Sequence, residues 1–101
     1  LKKAQSQQQS SLGDLDEGLE DAIRITVESQ RGSASLLQRK LGYGYNRATG
    51  VVETLAVLGV VGPHKGSKAR DVLLTPEELE DIGGLQGLLD RYEQQSQTDK
   101  G

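Results

Sequence analysis

Cysteine, methionine, phenylalanine and tryptophan are absent from this chain, and histidine occurs once. Without cysteine there can be no disulfide and no thiolate metal site, which fits a reducing compartment. Without Phe, Trp or Met, the core has to be built from Leu, Val, Ile and Ala. At 101 residues the chain has the length of about one small domain, with a modest core. His64 has no partner His or Cys, so it reads as a solvated residue rather than a metal ligand. No apolar run approaches the roughly 20 residues that span a bilayer. The opening Leu1-Lys2-Lys3-Ala4-Gln5 runs into polar sequence and does not read as a signal peptide. Catalysis is equally poorly served. Glu77, Glu78, Glu80 and Asp81 crowd one polar stretch and read as solvated charge, and one His offers no nucleophile–base pairing. The expectation is a cytoplasmic, non-enzymatic domain with no cofactor and no metal.

What is present is an uneven charge. The net charge is -3, but the signs are segregated. Residues 14–30 hold six acids and one Arg. Residues 31–70 hold Arg31, Arg39, Lys40, Arg47, Lys65, Lys68 and Arg70 against Glu53 alone. Residues 71–101 are again acidic, with eight acids and two bases. A basic middle between acidic flanks suggests that the middle meets a polyanion. Clustering on a solvated surface is the plainer alternative.

The apolar spacing predicts the elements. Residues 1–13 are rich in Gln and Ser and read as a disordered linker; residues 94–101 read likewise. Leu15, Leu19, Ala22, Ile23 and Thr26 recur at helical spacing and predict a first helix over about 16–31, acidic in its first turns and stopped by Gly32. Ser35 and Gln38 have capping-box spacing and predict a short helix over 36–41, with Leu37 and Leu41 on one face. After a break at Gly42-Tyr43-Gly44, a third helix is predicted over 45–58. Its stripe is Ala48, Val51, Val52, Leu55 and Leu58, and its stop is Gly59. Two short strands, 60–62 and 70–74, enclose a polar basic loop. Thr75-Pro76-Glu77-Glu78 reads as a capping box with Pro at the first helical position. The helix it starts should break at Gly83-Gly84, with a further piece over 85–93.

Three helices followed by a hairpin describe a winged helix-turn-helix, mainly α with a small β-hairpin. In that fold the third helix enters the major groove and the wing tracks the backbone. The expected division is a linker over 1–13, a winged-helix unit over 14–75 and an acidic helical or frayed tail over 76–101.

Two stretches carry a resemblance. Ser33-Ala34-Ser35-Leu36-Leu37-Gln38-Arg39-Lys40-Leu41, followed by Gly44-Tyr45-Asn46-Arg47-Ala48, resembles the gamma domain of the bacterial DNA translocases FtsK and SpoIIIE. In that family a Gln-Arg helix precedes Gly-Tyr-Asn-Arg-Ala. Leu58-Gly59-Val60-Val61-Gly62-Pro63 is similar to the family's exit into its wing, and Gly66-Ser67-Lys68-Ala69-Arg70-Asp71-Val72-Leu73 to the wing itself. The likeness covers about residues 14–74. It departs at Gly42-Tyr43, at Thr49-Gly50 and in the length of chain after Leu74. The resemblance implies a reader of short, oriented, G-rich double-stranded DNA that directs a hexameric ATPase motor. It also implies a contact with the recombinase XerD and a parent protein anchored in the inner membrane. No Walker A pattern occurs here, so the chain would be the reader without the motor.

On this reading Asn46 and Arg47 are the candidate base readers. An Arg fork matches guanine O6 and N7, and an Asn amide matches adenine; Asn46 could instead cap its helix. Arg39, Tyr45, Lys65, Ser67, Lys68 and Arg70 are candidate backbone contacts, although Tyr45 could be purely structural. Gln38, Lys40 and Thr49 are further candidates, Gln38 also being the expected capping partner. Two other functions stay open: a winged-helix protein-interaction module and a dimeric transcriptional regulator. The isolated reader is expected to be a monomer, whereas a regulator would dimerise through its added helices.

Overall fold

A computed structural model describes residues 15–66 and 68–100. The expected linker and Ser67 lie outside the described residues. The chain runs through five helices: α1 Leu19–Ser29, α2 Ala34–Leu41, α3 Tyr45–Val57, α4 Pro76–Ile82 and α5 Gly84–Lys100.

Helix α1 is the hub, packing against each of the other four. Its stripe, Leu19, Ala22, Ile23, Thr26 and Val27, is buried, as the 3.6-residue period requires. It starts later than predicted because Asp16, Glu17 and Gly18 form a turn ahead of it. Asp16 Oδ1 accepts the Gly18 N–H at 2.7 Å, and the Asp16 carbonyl accepts that of Leu19 at 3.0 Å. The helix stops at Gln30, which adopts a left-handed φ of 56°. That conformation is unusual for a residue with a side chain. Gln30 Nε2 offsets it by donating to the carbonyls of Val27 (2.7 Å) and Leu74 (2.9 Å).

Gly32 therefore has a different task from the predicted helix stop. It forms an antiparallel bridge with Arg70, and a Cβ there would lie 2.8 Å from the Arg70 carbonyl oxygen. The pairing holds Ser33 extended, and Ser33 rather than Ser35 caps α2, accepting the Leu36 N–H at 3.3 Å. Gln38 is consequently not a capping-box partner. Helices α2 and α3 pack closely through the turn at 42–44. Ala48, Val51, Val52 and Leu55 of α3 are buried, with Tyr43 beneath the turn at 8% exposure.

The predicted strands appear only as isolated antiparallel bridges, Val61 with Val72 and Lys65 with Lys68. Two hydrogen bonds tie the segments, Gly62 N–H to the Asp71 carbonyl (2.9 Å) and Leu73 N–H to the Val60 carbonyl (2.8 Å). Two features shorten the ladder. Pro63 has no N–H to donate, and Arg70 turns its backbone donor and acceptor toward Gly32 instead. A regular two-stranded hairpin is thus not formed among the described residues.

The capping box at Thr75 and Glu78 is complete, with Pro76 in the first turn. Gly83 (φ 104°) ends α4 where predicted. Helix α5 does not lie apart. Leu88 is 0% exposed and belongs to the same core as Leu19, Ile23 and Leu55, with Leu79, Ile82, Leu85, Leu89 and Tyr92 packed against it. The core therefore continues past residue 75, the expected end of the winged-helix unit, into α4 and α5. Among the described residues no helix is long and apolar enough to cross a membrane.

Candidate nucleic-acid interface

The head of α3 brings together a bidentate ion pair and a cation–π contact. Gly44, in extended conformation, occupies its N-cap and provides no side-chain cap. Asn46 is therefore not the cap, and its exposed side chain makes no hydrogen bond among the described residues. Its carbonyl accepts from Thr49 Oγ at 3.0 Å. Tyr45 is 68% exposed, so the structural alternative for this ring, packing into the core, does not apply.

Arg47 is held in place. Its Nε donates to Asp16 Oδ2 and its NH2 to Asp16 Oδ1, both at 2.7 Å. The guanidinium lies over the Tyr43 ring, 4.0 Å from the centroid, within cation–π range. Its side chain remains 45% exposed. One edge of Arg47, a candidate base reader, is thus pinned to the turn ahead of α1. The electrostatics follow the geometry. The Arg47 hydrogen bonds hold the Asp16 carboxyl below its ordinary value, against an opposing effect of burial. Asp16 in turn raises the Arg47 guanidinium above its usual range. Burial first, and then the Asp16 charge, push the Tyr43 phenol up. Neither Asp16 nor Tyr43 was among the candidate site residues, Tyr43 standing only as a departure from the family's pattern. Thirty-one positions separate Asp16 from Arg47, and no periodic pattern links them.

The other expected contacts divide. Arg39 and Lys40 are exposed on the last turn of α2, while Gln38 is half-buried. Lys68 is exposed in the loop. Lys65 is exposed and pairs with Asp71 at 3.0 Å. Arg70 is different, with a side chain only 10% exposed. It donates to Glu53 Oε2 on α3 at 3.0 Å and to the Gly62 carbonyl at 3.4 Å. With its backbone paired to Gly32, Arg70 joins the loop, α3 and the α1–α2 link, and is placed as an internal fastener. A cleft of about 430 Å³ lies between the loop, the start of α2 and α3, lined among others by Ser35, Tyr45, Thr49, Glu53, His64 and Lys68. Thr49 thus faces the space between helix and loop. Among the described residues no group of His, Cys, Asp or Glu is arranged to hold a metal ion.

These features define a small, mainly helical domain with exposed cations in the last turn of α2 and in the loop. The model of the FtsK gamma domain matches residues 13–75. The DNA translocase FtsK of Corynebacterium glutamicum is 48% identical over 73 residues, covering 72% of this chain and 8% of the translocase. That of Corynebacterium efficiens is 52% identical over 69 residues, 68% of this chain and 7% of the translocase. That of Streptococcus agalactiae is 48% identical over 61 residues, 60% and 8% respectively. The chain belongs to the FtsK gamma domain family. It spans less than a tenth of the length of these translocases, and the matched segment is the gamma domain and not the motor.

Proposed function

We propose that this chain reads double-stranded DNA in a sequence-specific way, as the orienting domain of a chromosome-segregating translocase. Its fold, on this reading, is a winged helix. Helices α2 and α3 are the helix–turn–helix pair, the 62–73 loop is the wing, and residues 14–75 are the DNA-binding unit. The observation that carries the proposal is that exposed cations stand on the elements next to α3: Arg39 and Lys40 in the last turn of α2, and Lys65 and Lys68 in the loop, Lys68 sharing a cleft with Tyr45 and Thr49. A helix with such neighbours meets a groove with phosphate walls on either side.

The roles rest on the positions of the described residues and, for Ser67, on the resemblance of its segment to the family's wing. Asn46 and Arg47 read base edges from the groove-facing end of α3, with Thr49 beside them. Arg39, Lys40, Tyr45, Lys65, Ser67 and Lys68 hold phosphates, Lys65 by exchanging Asp71 for DNA. Arg70 leaves this group, because a guanidinium nine-tenths buried and already paired does not reach a phosphate. The preferred DNA is a short, polar, G-rich sequence. The recombinase XerD and the motor domain are the protein partners, the parent protein is an ATPase anchored in the inner membrane, and the isolated domain is a monomer. A dimeric regulator fits less well, since Leu85, Leu88, Leu89 and Tyr92 pack on the chain's own core instead of forming an added dimerisation element.

Selection from random duplexes tests the proposal. A non-palindromic G-rich site is expected, with a log–log salt slope of about -4 from four cationic contacts. A palindromic site would support a dimeric regulator, and affinity indifferent to salt would remove DNA as the partner.

A further inference from the structure

An arginine that reads a guanine must present two parallel donors, and the guanidinium has more than one such edge. In this structure Nε and one N–H of NH2 are committed to Asp16. NH1 has no hydrogen-bond partner among the described residues, and NH2 keeps a second N–H. The end-on edge formed by NH1 and NH2 is therefore open, while the side-on edge is closed. The face of the group lies on Tyr43, so it can neither tilt nor rotate freely.

The anchor is itself fixed. Asp16 Oδ1 also accepts the Gly18 N–H at 2.7 Å, and the Asp16 carbonyl accepts the first N–H of α1. A side chain on Gly18 would collide with the Tyr43 hydroxyl, so this turn and the ring are closely fitted. A continuous path of contacts runs from the buried start of α1 through the Asp16 carboxylate to the Arg47 fork.

We propose that Asp16 is a positioning residue for base recognition: it clamps one edge of Arg47 so that the remaining edge is presented, already ordered, to a guanine in the major groove. The inference rests on the DNA-reading function proposed above. Asp16 never touches DNA in this scheme. It acts by removing the rotamer freedom that a long side chain otherwise loses on binding. Being negative, it also disfavours contact with the phosphate backbone, so its net effect is on selectivity and not on general affinity.

The two effects of Asp16 have opposite signs on two duplexes, which makes the test sharp. Affinities of the wild-type domain, Asp16→Asn, Arg47→Ala and the double variant are measured on the selected site and on a scrambled duplex at one salt concentration. Melting curves accompany each variant. Asp16→Asn is expected to lower the ratio of specific to scrambled affinity about 3- to 10-fold, the entropy of one immobilised side chain. Affinity for the scrambled duplex should hold or rise, which loss of folded protein would not produce. In the Arg47→Ala background, Asp16→Asn should leave the ratio unchanged.

If Arg47→Ala lowers the ratio and Asp16→Asn does not, Asp16 has no positioning role while the DNA-reading function stands. An Asp16→Asn effect that persists without Arg47 overturns the inference in the same way. If Arg47→Ala leaves the ratio intact, Arg47 is not a base reader and the inference falls with that assignment. A wild-type domain that prefers no duplex removes the proposed function itself. Should Asp16→Asn fold poorly, Tyr43→Leu, which keeps an apolar side chain under the turn and removes the ring, is expected to lower the ratio in the same direction.

Discussion

Arg47 and Arg70 come from the same basic stretch, and each is bound to an acidic side chain, yet the fold uses them in opposite ways. Arg47 pairs with Asp16 at the molecular surface and keeps 45% of its side chain in solvent. Arg70 pairs with Glu53 and keeps 10%. The difference lies in the backbone beneath them. Arg47 stands in the first turn of α3, where the chain emerges from the Gly42–Gly44 turn. Arg70 lies in the segment drawn against Gly32, so its side chain emerges beneath the loop. Sequence charge counts both as candidates for a polyanion, whereas solvent reach admits only the first. The basic excess available to DNA is smaller than the sequence total.

Replacing Arg70 should give the largest effect on stability. Arg70→Met keeps much of the aliphatic bulk but leaves the Gly62 carbonyl without its side-chain donor and Glu53 without its partner. Glu53 is well solvated, so its loss is minor. Losing the part-buried hydrogen bond to the Gly62 carbonyl costs about 1–3 kcal/mol. Urea unfolding at neutral pH should show that loss, with an unchanged ratio of specific to scrambled DNA affinity. A variant that melts like wild type but binds all duplexes more weakly would return Arg70 to the phosphate contacts.

Lys68 provides the converse. It is exposed in the loop and has no ion pair among the described residues. Lys68→Ala should leave unfolding unaltered. It should weaken specific and scrambled duplexes alike and reduce the salt slope by about 1. If preference for one sequence disappeared with Lys68, the loop would be reading bases and the separation between α3 and loop would fail.

The contrast also marks how far sequence alone reaches. The stripes of α1 and α3 are visible because a 3.6-residue period survives in Leu19, Ala22, Ile23 and Thr26 and in Ala48, Val51, Val52 and Leu55. The start of α4 is visible because Thr75 and Glu78 satisfy each other over three residues. Features set by distant pairing are not visible. Ser35, with Gln38 three residues on, has the local pattern of a cap, and the Gly32–Arg70 bridge gives that place to Ser33 instead. Gln30 ends α1 through a hydrogen bond to Leu74, 44 residues away. Leu88 reads as part of an acidic tail because Glu77, Glu78, Glu80 and Asp81 precede it and Asp90 and Glu93 follow it, and only the packing of α5 against α1 makes it core. At the candidate interface Asn46, Tyr45 and Lys68 are exposed, in the segments where the basic and Gly-Tyr-Asn-Arg-Ala stretches had drawn attention. The Asp16 clamp on Arg47 and the interior position of Arg70 depend on which segments meet.

Asp16 allows the smallest effect to be isolated by pH. Its carboxyl is held below its ordinary value of 3.8, chiefly by the Arg47 hydrogen bonds. In the unfolded chain it titrates near that ordinary value. Between the ordinary value and the lowered one, the unfolded state therefore binds more protons than the folded state, and stability falls as pH falls. The Asp16 contribution is complete above about pH 5 and is lost as pH drops through the lowered value. Arg47 stays charged throughout, so the change belongs to the carboxylate. Both partners are partly solvated, which keeps the contribution small. Comparing wild type with Asp16→Asn removes every other carboxylate from the difference, since all of them are common to both proteins. Unfolding free energies measured from pH 6 down to pH 2 should show wild type more stable at the upper end and the two variants converging at the lower end. A difference that does not vary with pH would mean that Asp16 is unpaired in solution and that Arg47, unlike Arg70, is free.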